Sequence, residues 1–337
     1  LGDSNNMVKK VKFGILGLGR GKKTALSVAQ TAGADLVCVC DLQESVAQNT
    51  AQELGCDWTT SYDDMMDRGD IEVIGIYTSS GTHVDFASKA ISRGKHVFLT
   101  KPMDISLEKC NQLIESAKKA NLVLAIDFVC RYRKIDHQVH QAITTGLIGK
   151  VVLADLRMKW YRSESYYQGG WPPGWRSRSR TEGGSAANQG VHSIDQLQWF
   201  VGPVKTVQGK FGTFNHQIET EDCAVGILTF ESGAFGVIQT TTCSYPSLGT
   251  ILQINGTNGT ITMDKSGDVD LQIKGEETTS INQVLIEKEI PYDIVEDMVG
   301  AIIDGRSVMA DGEEGRKSVA IFTCLYESSR TGQVVYL

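Results

Sequence analysis

From residue 11 to about 150 the chain alternates short β-branched apolar runs with stretches whose apolar residues recur at helical spacing. The runs at 11–16, 35–40, 71–76, 96–99 and 123–126 predict strands. The stretches near 23–31, 43–54, 84–93, 107–120 and 136–145 predict amphipathic helices. Strands that alternate with helices imply βαβ crossovers, and right-handed crossovers build a doubly wound parallel sheet with helices on both faces. After Gly149 the pattern changes. Runs at 151–160, 204–214, 223–230, 234–242, 251–255, 260–263 and 269–273 alternate apolar with polar positions, as half-buried strands do. Explicit turn chemistry joins several of them: Glu231-Ser232-Gly233, Gly256-Thr257-Asn258-Gly259 and Lys265-Ser266-Gly267. The second half therefore predicts an α+β domain on a large, mostly antiparallel open sheet. Two late helices, about 294–304 and 313–329, carry apolar stripes suited to packing on a sheet.

The expected division is a nucleotide-binding α/β domain over 7–128 and an α+β substrate and oligomerisation domain over 129–337, the last helix folding back on the first domain. A length of 337 residues and a hydrophobic content of 41% accommodate two such domains. Leu1 to Asn6, ahead of Met7, read as a cloning remnant and stay outside the fold argument. The formal charge of −7 opposes nucleic-acid or anionic-membrane binding, because both need a basic face. No apolar run approaches the ~20 residues that span a bilayer, and no signal-peptide pattern opens the chain, so the expected location is the cytoplasm. Eight cysteines without a CxxC pair and six histidines without ligand spacing predict buried thiols and no metal.

Gly17-Leu18-Gly19-Arg20-Gly21 follows the first strand and opens the first helix. Glycines allow a tight turn and close approach of a diphosphate, and the helix N-terminus offers it free N–H groups. The spacing is irregular: the third glycine of GxGxxG would fall at Lys22. Asp41 closes the second strand, 22 residues after Gly19, where a carboxylate can bind both hydroxyls of the adenosine ribose. A 2′-phosphate would be repelled there, so NAD is the expected cofactor and NADP the lesser alternative.

Three further segments carry a resemblance: Ile76-Tyr77-Thr78-Ser79-Ser80-Gly81-Thr82-His83, Thr100-Lys101-Pro102, and Gly183 to Asp195 with Asn188 and His192. In this order, with Asp311 to Arg316 and Tyr326 to Ser329 near the end, the chain resembles the Gfo/Idh/MocA oxidoreductases over essentially its whole length. The resemblance implies a catalytic pair of Lys101 and His192, with Asn188 holding a neighbouring substrate hydroxyl or orienting the histidine. It implies cofactor contacts from Thr78, Ser79, Ser80, His83, Thr100, Lys101 and Arg131, beside Gly17, Leu18, Gly19, Arg20, Gly21 and Asp41. It departs from the family at Thr100, where a glutamate is usual, at Asn188, where an aspartate is, and at Lys134, where a proline is. Asn188 and His192 lie four residues apart, which in an α-helix puts them on one face.

The chemistry suits these residue types. Oxidising a secondary alcohol sends a hydride to nicotinamide and a proton to a base; histidine titrates near neutrality. A lysine can stabilise the charge that builds on the reacting oxygen. Taken singly, Lys101 reads more readily as a solvated strand-end lysine and His192 as a satisfied helix histidine. Their expected position at strand C-termini, where open α/β sheets bind ligands, favours the catalytic reading.

Residues 157–180 hold Arg157, Lys159, Arg162, Arg176, Arg178 and Arg180 against the single acid Glu164, with Trp160, Tyr161, Tyr166, Tyr167, Trp171 and Trp175 among them. Aromatic faces stack on sugars and arginines clamp anions. Tyr161, Trp175 and Arg176 therefore join Lys101, Asn188 and His192 as substrate candidates; the resemblance implies a sugar, sugar derivative or cyclitol as substrate, and the arginines predict that it carries a negative charge. A subunit interface would use the same residues. A homodimer or homotetramer through the second sheet is expected. Two other functions stay open: a glycosidase using NAD for transient oxidation, and a non-catalytic NAD-binding regulator.

Overall fold

A computed structural model describes residues 10–264 and 267–337. The expected cloning remnant at 1–6, Met7, and Lys265 and Ser266 of the expected turn lie outside the described residues.

The first half runs β1 (Val11–Leu16), α1 (Gly21–Gln30), β2 (Ala34–Cys40), α2 (Glu44–Leu54), β3 (Asp57–Thr59), α3 (Tyr62–Met66), β4 (Val73–Ile76), α4 (His83–Ser92), β5 (His96–Thr100), α5 (Leu107–Ala120) and β6 (Leu124–Asp127). Its six strands are all parallel, in the order β3-β2-β1-β4-β5-β6. Helices cover both faces, so central strands are buried throughout and read as continuous apolar runs, as β4 does. The order reverses between β1 and β4, which opens a crevice at their C-terminal ends. Sequence periodicity did not predict β3 or α3. Strand β3 is a three-residue edge strand, with Trp58 39% exposed and no apolar run to signal it.

The second half continues with α6 (Lys134–Thr144), β7 (Val151–Lys159), α7 (Glu164–Gln168), α8 (Val191–Val201), β8 (Val204–Gly212), β9 (Cys223–Phe230), β10 (Phe235–Thr241), β11 (Gly249–Gly256), β12 (Gly259–Met263), β13 (Val269–Ile273), β14 (Thr279–Ser280), α9 (Ile294–Ile303), α10 (Gly312–Thr331) and β15 (Val335–Tyr336). Nine strands form one sheet in the order β14-β13-β12-β11-β7-β10-β9-β8-β15. The β7–β10 pair is parallel and the others are antiparallel. One face buries Ala154, Leu156 and Met158 beneath α8, while the other leaves Val225, Ile227 and Phe235 exposed.

The C-terminal helices return to the first sheet. Helix α9 lies against α1, β1, β2 and β6, and α10 packs on β8, α8, α5 and β6. Ile126 donates its N–H to the Ala310 carbonyl at 2.8 Å, which covers the edge of β6. Gly315 makes this approach possible, since a Cβ there would sit 2.3 Å from Ile126. All eight cysteines are free, five of them buried. Among the described residues no helix is long and apolar enough to cross a membrane.

One polar contact ties these layers together. Arg131, just after β6, is 3% exposed and binds Asp195 of α8 with two hydrogen bonds of 2.9 and 2.8 Å. It reaches Glu314 of α10 at 3.0 Å and lies 4.4 Å above the Trp199 ring. Burial opposes both charges, and the pairing offsets that cost only while both partners remain. Asp195→Ala is expected to lower unfolding stability by about 3–5 kcal/mol, read as a fall in the urea midpoint. A wild-type midpoint would remove the pair from this role.

Candidate active site

The crevice begins at the glycine turn after β1. Gly17 has φ +83°, and a Cβ there would lie 2.5 Å from the Tyr77 carbonyl oxygen, so no other residue fits. Around Gly19 the position of a Cβ is open, which leaves the turn free to meet a ligand. Gly21 opens α1 with the Tyr77 ring 3.1 Å from where its Cβ would be. The irregular glycine spacing thus has a local explanation: Gly21 provides the close helix-to-strand approach, and Lys22 points away to pair with Glu53 at 2.6 Å. Helix α1 has no side-chain cap and no acid in its first turn. Its N-terminal donors and the exposed Arg20 are therefore available to a diphosphate. Asp41 accepts from Leu18 N at 2.8 Å and from Gln43 N at 2.9 Å, one bond per oxygen, so each oxygen keeps a lone pair for a ribose hydroxyl. These residues fit a dinucleotide.

Lys101 follows β5 and donates from Nζ to the Asn188 carbonyl at 2.5 Å. Asn188 belongs to a π-helical turn over Ser185–Gly190, and α8 begins only at Val191. The single α-helical face expected for Asn188 and His192 is therefore replaced by a wider turn that bends into α8. Glu221 holds this turn. Its carboxylate accepts from Ser185 Oγ at 2.6 Å, Ala186 N at 2.8 Å and Tyr326 Oη at 2.8 Å. Its backbone carbonyl accepts from Ser185 N at 2.9 Å. Burial pushes this acid up to about 7 against those donors.

His192 enters the first turn of α8 with the edge of Phe128 beside it, ring centroids 6.2 Å apart. Its Nδ1 is buried and, among the described residues, has no hydrogen-bond partner. Burial, followed by the charges of Lys101, Arg20 and Arg133, holds the imidazole well below its ordinary value. Burial also lowers Lys101 to about 8; Glu182 and Asp127 oppose that fall and Arg20 adds to it. A neutral imidazole and a readily discharged lysine thus face one crevice at neutral pH.

The arginine-rich loop forms a stack beside the π turn. Arg162 lies 4.9 Å from the Trp160 ring and 5.4 Å from Tyr166; Arg176 lies 4.8 Å from Tyr166 and 4.4 Å from Trp175. Arg162 donates to Gln189 Oε1 at 3.0 Å, and Gln189 donates to Asn188 Oδ1 at 3.0 Å, so the stack is joined to the turn beneath Lys101. Arg162 Nε is buried without a partner among the described residues. Tyr161 faces another way, against the exposed Tyr245 at 5.3 Å.

Thr78 and Ser79 stand half-buried at the end of β4, tied to Thr82, and Thr100 ends β5 half-buried. Three residues expected at the cofactor direct their polar atoms elsewhere. Both ring nitrogens of the buried His83 meet backbone carbonyls, of Pro102 at 2.8 Å and Thr78 at 3.0 Å. Ser80 donates to Glu182 at 2.5 Å, and Arg131 is taken up by Asp195 and Glu314. Sequence reasoning missed Glu182, Gln189 and Glu221. Glu182 lies two residues beyond the segment whose charges stood out, and Glu221 meets the π turn only through the fold.

Comparison with known proteins agrees with this architecture. Residues 11–128 match the oxidoreductase family with an NAD-binding Rossmann fold, and residues 137–262 match the GFO/IDH/MocA C-terminal domain. The chain is 28% identical over 263 residues to scyllo-inositol 2-dehydrogenase (NAD(+)) of Bacillus subtilis, covering 76% of this chain and 74% of that protein. It is 24% identical to D-xylose 1-dehydrogenase (NADP(+)) 2 of Haloferax volcanii, over 96% and 99% of the two chains. The WlbA dehydrogenase of Bordetella pertussis, solved with NADH and UDP-GlcNAcA, superposes with a TM-score of 0.88 at 27% identity, over 98% of this chain and 99% of the other. With both halves matched in order, and the glycine turn and crevice in place, the chain belongs to the GFO/IDH/MocA family of NAD-binding oxidoreductases.

Proposed function

We propose that this dehydrogenase oxidises a secondary hydroxyl of a negatively charged sugar, of the nucleotide-linked hexuronate class, with NAD in preference to NADP. In this reading residues 7–128 carry the cofactor and residues 129–337 the substrate. The observation that carries it is the stack of Arg162 and Arg176 between Trp160, Tyr166 and Trp175 beside Asn188 and Gln189. Both guanidiniums are held by aromatic faces and neutral acceptors, which leaves their charge for an anion. Likeness to a dehydrogenase solved with UDP-GlcNAcA supports the same class. Asp41 supports NAD, because its carboxylate suits a ribose diol and repels a 2′-phosphate.

NAD, bound along the glycine turn, supplies the hydride acceptor. His192, neutral at the working pH, takes the proton of the reacting hydroxyl. Lys101, held by the Asn188 carbonyl, donates to the same oxygen and stabilises the charge that builds there. Asn188 Oδ1 and the two stacked arginines orient the sugar and its acid group. The free thiols suit a reducing compartment, and we assign the protein to the cytoplasm. The apolar outer face of the nine-stranded sheet, with Val225, Ile227 and Phe235, is proposed to pack on a second copy.

NAD+ reduction across UDP-linked hexuronates, free uronates, neutral aldoses and inositols, with NADP+ in parallel, tests the substrate class. Turnover is expected with an acidic sugar, and Arg162→Ala is expected to weaken its kcat/KM by about 1.5–3 kcal/mol. Turnover of neutral sugars alone would overturn the charged-substrate reading, and a preference for NADP+ would overturn the role of Asp41. Product formed without accumulating NADH would point to transient oxidation instead.

The same assay has a defined pH profile. Lys101 carries its charge below about 8 and loses it above, so kcat/KM for oxidation falls on the alkaline side as pH rises through that value. On the acid side it falls as His192 gains a proton, below the imidazole's ordinary range. Lys101→Met is expected to lose the alkaline limb together with most of the rate. Persistence of that limb in the variant would assign it to another group.

A further inference from the structure

Four acids belong to the segments that form or carry the arginine stack, and none of them meets Arg162 or Arg176. Glu164 accepts from Gln168 Nε2 at 2.8 Å and from Gln217 N at 3.3 Å. Glu182 accepts from Ser80 and Gly183, Glu219 from the N–H and hydroxyl of Ser179, and Glu221 from the π turn. Elsewhere the protein answers a guanidinium with carboxylates: Arg131 takes Asp195 and Glu314, and Arg133 takes Asp136. Among the described residues Arg162 meets a single side-chain acceptor, and that acceptor is neutral: Gln189 Oε1 at 3.0 Å.

The amide of Gln189 has only one way to face the arginine. Its Nε2 donates to Tyr166 Oη at 2.7 Å and to Asn188 Oδ1 at 3.0 Å, which uses both amide hydrogens. A guanidinium offers no lone pair, so the amide oxygen must point to Arg162. The backbone is fixed on both sides. Gly190, next in the π turn, would place a Cβ 2.7 Å from Thr240 Cγ2. Arg162 donates its N–H to the Thr242 carbonyl at 2.8 Å, and its own carbonyl lies 2.8 Å from His216 Nε2. That ring is anchored at Nδ1 by Asp222 at 3.0 Å. The fold therefore sets the contact between Gln189 and Arg162. Arg162 Nε, buried and without a partner among the described residues, remains a donor for a ligand.

We infer that Gln189 sets the preference of this site for an acidic sugar: a neutral amide that aims the Arg162 fork at the substrate's carboxylate without taking its charge. One amide oxygen anchors the guanidinium and leaves the full positive charge to the ligand. A carboxylate in the same place would pair with Arg162 and cancel that charge. The same amide is bonded to Asn188, whose carbonyl holds Lys101, so the seat of the acid stands in fixed relation to the lysine. The inference rests on the acidic substrate proposed above.

The test compares UDP-glucuronate with UDP-glucose, two probes that differ by a carboxylate in place of a hydroxymethyl group, in calorimetric binding to the NADH-saturated full chain. The ratio of the two dissociation constants reads the carboxylate and cancels a general loosening of the site. The wild-type protein is expected to favour UDP-glucuronate by about ten- to a hundredfold, the usual size of a charge-assisted hydrogen bond. Gln189→Glu keeps the shape and adds a charge, and is expected to bring the ratio to about one. Gln189→Leu loses all three hydrogen bonds but leaves Arg162 its charge, so the preference should persist in weakened form. A role in packing alone predicts the opposite order, because glutamate preserves more of the native shape than leucine. A wild-type ratio in Gln189→Glu overturns the inference, as does a lower ratio in Gln189→Leu than in Gln189→Glu. Should Gln189→Glu fail to fold, Gln189→Leu decides, since a preference abolished there would belong to the amide's own contacts and not to Arg162. A ratio near one in the wild-type protein would overturn the acidic substrate itself, and this inference with it.

Discussion

Arg131 carries its guanidinium into an interior that tolerates it only because Asp195 meets it with both oxygens, with Glu314 and the Trp199 face closing the remaining sides. Three separate parts of the chain are fixed by that requirement: the end of β6, the helix that bears His192, and the last helix. Asp195 lies one turn beyond His192, so the pair sets both the height and the rotation of the histidine over the strand ends. The Rossmann crevice and the second sheet also meet where α9 and α10 return to the first sheet and where Lys101 reaches Asn188. The ion pair adds the tie that fixes the histidine helix against the end of β6.

Within that site the electrostatics follow from position. The N-terminus of α1, Lys101 and Arg20 give the crevice a positive potential. A histidine there resists a proton until a reacting hydroxyl brings one. Its unpartnered Nδ1 is a cost in the resting protein and a ready acceptor or donor when a sugar arrives. Two acids are buried at the crevice walls, and burial pushes both up from the ordinary carboxylate range. Glu221 braces the π turn against β10 and α10, while Glu182 is held by Ser80 in the loop ahead of that turn. Beyond them the arginine and aromatic stack extends the positive surface toward solvent in a rigid form, since each guanidinium lies against two rings.

Much of this was legible in the sequence for reasons that also mark its limits. A parallel sheet buried on both faces writes its strands as continuous apolar runs, and β1, β2, β4, β5 and β6 stand within one or two residues of expectation. An exposed edge strand writes nothing, and β3 was missed. Glycine turns announced the antiparallel joints of the second sheet, yet the parallel pairing of β7 with β10 joins segments too far apart for any local pattern. Residue spacing predicted an α-helical face for Asn188 and His192. The π turn that replaces it depends on Glu221, whose part is decided by tertiary contact. The same limit applies to polar residues at strand ends. Sequence could mark His83, Ser80 and Arg131 as close to the crevice, but their hydrogen bonds turn inward, and only coordinates reveal that.

The proposed chemistry depends on the histidine as the proton acceptor, and His192→Gln tests this most directly. NADH binding, followed by fluorescence, should remain at the wild-type level. The rate of NAD+ reduction under saturating sugar should fall by about 10²–10⁴-fold, the usual contribution of a general base, and the residual activity should rise with pH as hydroxide takes over the role, until Lys101 loses its charge near pH 8. A variant that keeps the wild-type rate and pH dependence would contradict the account.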